Sequence, residues 1–279
     1  MAVDYSPASH YDRVTQAWQY LLGDELHYGV FDRGDEDLAE ATGNLTRRMI
    51  DGAGLERGLT VLDVGCGTGA PACDLAERYG VEVVGITTSP VGVETATRRA
   101  AERGLSDRVR FELRDGTANG LPDESFDRVW VLESSHLMRE REALVAECAR
   151  VLRPGGRMVL CDVMRMREIP FQEVRRRTAE FAALRAAFGS ARMDTMAQYV
   201  DLATANGLVV DMTEDLTAAT LKTFEHWLGN AERYRDEATA ALGAESLAEF
   251  EEGSRILDAL WREGTLGYGI FSAAKPEGA

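Results

Sequence analysis

The feature that most constrains the fold is a glycine-rich turn between an apolar strand and a helix. Residues 60–70 are TVLDVGCGTGA, so a predicted strand over 61–64 runs directly into the G-x-G-x-G loop of residues 65–69. A helix is predicted over 70–78 and a second strand over 81–87. Glycines at such a turn let a ligand approach the backbone at the helix N-terminus. The turn therefore predicts an α/β fold that binds a ligand at the end of its first strand.

Strands continue to alternate with helices downstream, which predicts a mostly parallel sheet with right-handed crossovers. Further strands are predicted over 109–113, 126–132, 157–163, 207–216 and 266–276. Helices are predicted over 9–23 with Ser9 as a possible cap, 38–53, 93–103 and 140–151, and over most of 170–206 and 217–262. The long helical segments after Met164 are typical of an insertion beside the last strands.

The overall charge excludes several classes of partner. The chain has 279 residues and a formal net charge of −16. Nucleic acids and anionic membranes both require basic footprints, so we expect neither as a partner. The N-terminal sequence lacks a basic segment followed by an apolar one, and no apolar run approaches a bilayer span. With four cysteines in no C-x-x-C pair, these features predict a cytoplasmic protein with reduced thiols and no metal site.

The loop by itself does not identify its ligand. Ala70 stands where a dinucleotide fingerprint has its third glycine, and that fingerprint tolerates alanine. Asp63 lies two residues before Gly65, where its carboxylate would repel a pyrophosphate and attract a cationic amino group. A dinucleotide, a phosphate or a phosphate-free cofactor all stay open at this point, and Asp63 favours the last of these.

Three further stretches carry a family resemblance. VLDVGCGTGA, RVRFELRDGTANGLPDESFDRVWVLESSHLM and ECARVLRPGGRMVLCDVM resemble the motifs of class I S-adenosylmethionine-dependent methyltransferases. The chain is most similar to the natural-product and sarcosine/dimethylglycine type, which includes antibiotic sugar O-methyltransferases, C-methyltransferases and some cyclases. The resemblance implies a Rossmann-like, seven-stranded, mostly parallel sheet with helices on both faces. It also implies S-adenosyl-L-methionine as cofactor and S-adenosyl-L-homocysteine as product.

The resemblance divides the chain into three segments. Residues 1–53 are expected to form an N-terminal helical lid, and residues 54–164 the cofactor-binding core. Residues 165–279 are expected to form a helical substrate cap that also carries the last two strands. Both helical segments are expected to cover the active site.

The same resemblance implies a set of cofactor-binding residues. Gly65 and Gly67 would approach the amino-acid part of the cofactor, with Asp63 close by. Thr87 ends the second strand, where many family members carry an acid that grips both ribose hydroxyls, so a single hydroxyl contact is expected here. The remaining members of the set are Asp115 at the adenine amino group, Gly116 below the ring, Glu133 and His136 after the fourth strand, and Tyr28 in HYGVF.

Two residues are expected to be catalytic. His136 is the candidate general base for a hydroxyl acceptor, because its unperturbed pKa of about 6.5 suits neutral pH. Asp162, at the end of the fifth strand, would accept a proton, orient the acceptor or raise the basicity of His136. The acceptor is expected to be a small organic molecule, methylated at O, N or C. A cyclase that keeps the cofactor pocket and a nucleotide-binding module stay open as alternative functions. A homodimer stays open as the assembly.

Overall fold

The computed structural model describes residues 18–23 and 25–278. Of the helix predicted over residues 9–23, residues 18–22 are helical, whereas Ser9 and the rest of that prediction lie outside the described residues. Within the described ranges, no helix combines the length and the apolar character needed to cross a bilayer.

All seven predicted strands are present and form one mixed, mostly parallel sheet with helices on both faces, in the order β3-β2-β1-β4-β5-β7-β6. The strands are β1 Thr60–Val64, β2 Glu82–Thr87, β3 Val109–Leu113, β4 Phe126–Leu132, β5 Leu152–Arg165, β6 Val209–Asp215 and β7 Leu266–Ala274.

The central strands are parallel and aligned so that their carboxyl ends share one edge of the sheet. Val64 of β1 pairs with Ile86 of β2, and Thr87 pairs with Leu113 of β3. The residues that follow these strands therefore converge, as they do in open α/β sheets that bind ligands at this edge.

Strand β7 is antiparallel to β5. Gly155 N donates to Lys275 O at 2.8 Å and Lys275 N donates to Gly156 O at 2.8 Å, which places the start of β5 against the end of β7. Eight of the nine β7 residues are buried. The last strand in sequence is therefore an interior strand of the sheet.

The predicted helical regions are confirmed in type but are broken into shorter helices. The region 217–262 holds four helices rather than one continuous stretch, with breaks at residues 221–222, at Tyr234 and at Gly243, which has φ 85°. The helices are Leu38–Ala53, Ala70–Tyr79, Pro90–Glu102, Arg141–Val151, Phe171–Arg176, Thr178–Phe188, Met196–Ala205, Thr217–Thr220, Thr223–Arg233, Arg235–Leu242 and Ala244–Arg262, with a 3₁₀ turn at Ser135–Leu137.

The chain forms two compact units that interleave in sequence. The sheet unit comprises Thr46–Asp162, Met196–Glu214 and the described part of Gly269–Ala279. The helical unit comprises the described part of Met1–Leu45, with Val163–Thr195 and Asp215–Tyr268. The lid and cap roles assigned to residues 1–53 and 165–279 stay predictions.

An aromatic cluster forms the core of the helical unit around Tyr28. The Tyr28 ring is stacked on Trp261 at 5.5 Å between centroids and contacts Trp227 at 4.9 Å. Tyr28, Trp227 and Trp261 are each less than 10% exposed. Burial of several large rings against one another supplies much of the apolar stabilisation of this unit.

Candidate active site

The glycine loop after β1 contains two glycines with different tasks. Gly65 has φ 84°, and a Cβ added there would overlap the Ser134 side chain. Gly67 has φ 52°, but a Cβ added there would meet no atom of the described residues within 4 Å, apart from its chain neighbours. Gly65 is therefore required by packing within the protein, whereas the backbone at Gly67 is open to a ligand.

Asp63 presents a buried carboxylate oxygen beneath this loop. The residue is 3% exposed, and its Oδ2 has no hydrogen-bond partner among the residues that the structure describes. Burial raises the pKa of the Asp63 carboxyl to about 7. Such an oxygen suits a cationic donor from a ligand, because pairing would offset the cost of burying the charge.

Thr87 ends β2 at the same edge, beside the start of the next helix. Its Oγ1 accepts a hydrogen bond from Ser89 N at 3.2 Å, and Ser89 caps the helix Pro90–Glu102 by accepting from Gly92 N at 2.8 Å. The Thr87 hydroxyl proton stays available to a single acceptor. The single contact of Thr87 with the cofactor ribose stays a prediction.

Asp115 and Gly116 lie after β3. Asp115 is exposed, and its Oδ1 accepts from Thr117 N at 2.8 Å and from Thr117 Oγ1 at 2.7 Å. A Cβ at Gly116 would lie 2.7 Å from Val64 Cγ1, so this glycine allows the β3 loop to approach β1. Asp115 thus closes a turn and still presents its second oxygen at the surface.

The segment after β4 approaches the glycine loop through Ser134. Glu133 has φ 48°, an uncommon value for a residue with a side chain, and its N–H donates to Cys161 O at 2.9 Å. Ser134 Oγ donates to Val64 O at 2.6 Å. His136 lies in the 3₁₀ turn Ser135–Leu137, with its side chain only 15% exposed.

His136 and Asp162 form a close pair. The distance from His136 Nδ1 to Asp162 Oδ1 is 2.6 Å, and His136 N donates to Asp162 Oδ2 at 3.0 Å. Asp162 is fully buried and lies inside β5, which continues to Arg165 instead of ending at residue 163 as predicted. A donor at Nδ1 leaves Nε2 of the neutral imidazole as an acceptor.

The charges of this pair are matched. Burial alone would lower the pKa of His136, but the adjacent Asp162 carboxylate outweighs burial and the pKa is raised above its ordinary value. Burial alone would raise the pKa of Asp162, but His136 and the surrounding hydrogen bonds hold it below its usual range. Each partner thus favours the charged form of the other.

The sheet unit brings most of the predicted site residues to one edge, where β1, β2, β3 and β4 end. Tyr28 belongs to the helical unit, and its role at the cofactor stays a prediction. In the part of the chain that the structure describes, no group of three or more His, Cys, Asp or Glu side chains is arranged to hold a metal ion.

Sequence reasoning missed two polar residues of this site, Ser135 and Tyr199. Ser135 Oγ donates to Asp162 Oδ2 and lies 2.7 Å from Tyr199 Oη. The position of Ser135 next to His136 could have suggested a role. Tyr199 gave no signal, because it lies 64 residues from Ser135 in sequence.

Several known proteins are similar in sequence to this chain. Residues 4–266 match the family described as mycolic acid cyclopropane synthetase. The 27-O-demethylrifamycin SV methyltransferase of Amycolatopsis mediterranei (strain S699) is 35% identical over 267 residues, 96% of each chain. Methyltransferase GfsG of Streptomyces halstedii is 40% identical over 157 residues, 56% of each chain.

Solved structures with the same fold include two that cover nearly the whole chain. The [4+2]-cyclase SpnF has a TM-score of 0.82 at 28% identity, over 97% of this chain and 96% of that one. The mycolic acid cyclopropane synthase CmaA1, solved with SAH and CTAB, has a TM-score of 0.85 at 24% identity over 96% of each chain, and it bears on the fold alone.

The site fits the cofactor of this family. The buried Oδ2 of Asp63 can accept a hydrogen bond from a cationic donor. There is open space beside the backbone of Gly67, and the carboxylate of Asp115 is exposed. The cofactor has an ammonium group and an adenine amino group that suit these acceptors. The chain belongs to the family described as mycolic acid cyclopropane synthetase, and it is an S-adenosylmethionine-dependent methyltransferase of the natural-product type.

Proposed function

We propose that this methyltransferase methylates a hydroxyl oxygen of a small organic natural product, with His136 as general base. The observation that carries the proposal is the pair of His136 Nδ1 and Asp162 Oδ1 at 2.6 Å. Because Asp162 holds the proton on Nδ1, Nε2 is left to accept the proton of a hydroxyl. An amine or an activated carbon acceptor would need such a base much less.

S-adenosylmethionine, when bound, supplies a methyl group already activated on a sulfonium. Asp63 would hold the amino group, Gly67 would admit the amino-acid part, and Thr87 would contact the ribose. Asp115 would accept from the adenine amino group, with Gly116, Glu133 and Tyr28 as further predicted contacts. The protein itself aligns the acceptor with the methyl group and removes the acceptor's proton. Proton removal by the general base contributes a factor of roughly 10²–10⁴ to the rate.

The similarity pattern supports an oxygen acceptor. The relative matched over 96% of its length is named as a methyltransferase of 27-O-demethylrifamycin SV. Some of the relatives matched over about half of this chain are named as methyltransferases of other atoms, such as sterol 24-C-methyltransferase of Pneumocystis carinii (strain B80) at 32% identity. We propose a single small-molecule acceptor, no nucleic-acid or membrane partner, and a homodimer as the assembly to test. A cytoplasmic location is proposed from the four buried, free cysteines.

The test is an acceptor screen with a methyl-labelled cofactor. The protein is incubated with labelled S-adenosylmethionine and one candidate acceptor at a time, and the products are analysed by mass spectrometry. The first acceptor is 27-O-demethylrifamycin SV, followed by other hydroxylated polyketides and phenols. We expect S-adenosylhomocysteine and one labelled methyl on an acceptor oxygen, both lost in His136→Ala. Label on nitrogen or carbon, with His136→Ala fully active, would refute the proposal.

A cyclase is the second candidate, favoured by the similarity to SpnF at a TM-score of 0.82. The same screen separates the two functions. A cyclase would convert an acceptor into an isomer of unchanged mass without releasing S-adenosylhomocysteine.

A further inference from the structure

We propose that Ser135 and Tyr199 are positioning residues for His136, and that their two hydroxyls form a directed chain that fixes the Asp162 carboxylate. The inference rests on the proposed function in taking His136 as the base. It assigns a role to two side chains that are not among the predicted site residues.

The first link of the chain divides the two oxygens of Asp162. Oδ1 accepts from His136 Nδ1, whereas Oδ2 accepts from the Ser135 hydroxyl and from His136 N. Ser135 and Asp162 are both fully buried. Hydrogen bonds at Oδ2 thus hold the carboxylate in the plane that directs Oδ1 at the imidazole.

The second link fixes the direction of the hydrogens. Tyr199 is fully buried on the helix Met196–Ala205, and its Oη lies 2.7 Å from Ser135 Oγ. Since Ser135 uses its own hydrogen on Asp162, the Tyr199 phenol must be the donor in this contact. Two hydroxyls in series therefore point their hydrogens toward the carboxylate, and each polarises the next.

A buried cation lies over the far end of the chain. The Arg141 guanidinium is centred 5.3 Å from the centroid of the Tyr199 ring, and Arg141 is fully buried at the start of its helix. A cation over the ring makes the phenol a stronger donor. Among the described residues, the charges that act most on the pKa of His136 are Asp162 from β5, Glu133 after β4 and Arg141 from the helix Arg141–Val151, and of these three only Arg141 lowers it.

Removal of the donors at Oδ2 should strengthen the bond at Oδ1. Hydrogen-bond donors at Oδ2 stabilise part of the negative charge of the Asp162 carboxylate. Without them, more of that charge acts on the imidazolium of His136, and the pKa of His136 rises. We expect Ser135→Ala to raise it by about half a pH unit or more. Tyr199→Phe should raise it less, because its effect passes through Ser135. Once Ser135 is gone, Tyr199→Phe should add nothing.

The experiment is a titration of the His136 ring followed by NMR on carbon-13 histidine-labelled protein. The chain has four histidines, so the His136 signal is assigned from the spectrum of His136→Gln. Wild type, Ser135→Ala, Tyr199→Phe and the double variant are compared, with Tyr234→Phe as the matched control. Ser135→Thr keeps a hydroxyl and should restore the wild-type titration.

The proposed hydroxyl chain from Tyr199 to Asp162 is supported if His136 titrates in the double variant as it does in Ser135→Ala alone, and in Tyr234→Phe as it does in wild type. It is overturned if the two shifts add, or if folded Tyr199→Phe titrates His136 as wild type does. Tyr199→Phe keeps the ring beneath Arg141, so it provides the test even where Ser135→Ala fails to fold.

The titration needs no turnover, which separates this inference from the proposed function. Non-additive shifts in a protein that methylates no hydroxyl would uphold the chain and refute the O-methyl proposal. Unshifted titrations in an active O-methyltransferase would do the reverse.

Discussion

The Ser134 hydroxyl donates a 2.6 Å hydrogen bond to the Val64 carbonyl, which ties the segment after β4 to the end of β1. Ser134 directly precedes Ser135 and His136, and Val64 directly precedes Gly65. The residues expected to hold the cofactor and those expected to act on the acceptor are therefore joined through one buried contact. A substitution in the glycine loop should therefore affect the position of the segment after β4, and a substitution in that segment should affect the glycine loop.

Gly65→Ala should mainly lower the stability of the protein, whereas Gly67→Ala should mainly lower its affinity for the cofactor. At Gly65 the new Cβ would overlap Ser134, so we expect a loss of about 3 kcal/mol or more in the free energy of unfolding. At Gly67 the cost should be only about 1 kcal/mol of backbone strain, since a Cβ there meets no atom of the described residues within 4 Å beyond its chain neighbours. S-adenosylhomocysteine affinity should nevertheless fall at least about tenfold in Gly67→Ala, or 1.4 kcal/mol. Thermal melts and calorimetric titration measure the two effects, and a wild-type melting temperature for Gly65→Ala would contradict this assignment.

Asp63→Asn should change the pH dependence of stability. The pKa of the buried carboxyl is about 7, against about 3.9 when unfolded, so the folded state binds the proton more tightly. The ligand-free protein is then most stable below the unfolded value, and this contribution is lost as pH rises from about 4 to 7, on the order of 4 kcal/mol in total. Denaturant melts across this range should be flatter in Asp63→Asn. Equal slopes in the two proteins would show that Asp63 is ionised in the ligand-free fold.

Cofactor binding should release a proton from Asp63 near neutral pH. A cationic amino group beside the carboxylate favours its charged form and lowers the raised pKa. Calorimetric titration in two buffers of different ionisation enthalpy measures the number of protons released per cofactor bound. We expect a fraction of a proton in wild type at pH 6.5 and none in Asp63→Asn.

Asp115→Ala should weaken cofactor affinity, and a neighbouring variant separates the two tasks of this side chain. Asp115 accepts two hydrogen bonds from Thr117, so its removal also loosens a turn. Thr117→Ala breaks one of these bonds and leaves the carboxylate in place. We expect a loss of about tenfold or more in S-adenosylmethionine affinity for Asp115→Ala and less than about threefold for Thr117→Ala. Similar losses in both would mean that the turn, and not the carboxylate, matters.

Activity should fall as pH drops through the pKa of His136. That pKa is raised above 6.5 by Asp162, so the neutral base is lost earlier on acidification than for an isolated histidine. Asp162→Asn should move the limb of kcat/KM to lower pH and reduce the plateau by roughly 10²-fold or more. Stability runs the other way, because a raised histidine pKa contributes most below about 6.5 and is lost as pH rises through the folded value. Unchanged limbs in Asp162→Asn would exclude His136 as the titrating base.

The sequence was sufficient for the strands that lie in apolar runs between turns. The predicted bounds of β1 to β4 differ from the observed ones by at most one residue. The strand β5 was predicted to start at Arg157 but starts at Leu152. Residues 153–156 are RPGG, which local chemistry assigns to a turn, yet Gly155 and Gly156 pair with Lys275. A pairing partner more than a hundred residues away is not visible in local sequence.

The site shows the same division. His136 and Asp162 could be proposed because each follows or ends a predicted strand at one sheet edge. The buried chain from Tyr199 to Asp162 could not, because it depends on which side of the helix Met196–Ala205 faces Ser135. Nor does sequence distinguish Gly65 from Gly67, since both are glycines in one loop and only their neighbours differ.

The interior position of β7 also bears on how the protein is made. On the ribosome β6 is completed before β7, yet β7 separates it from β5 in the finished sheet. Until Leu266–Ala274 has emerged, β5 and β6 each lack this neighbour, and unpaired strand edges invite aggregation. A message truncated upstream of Leu266 would therefore yield a client for chaperones and proteases instead of a weakened enzyme.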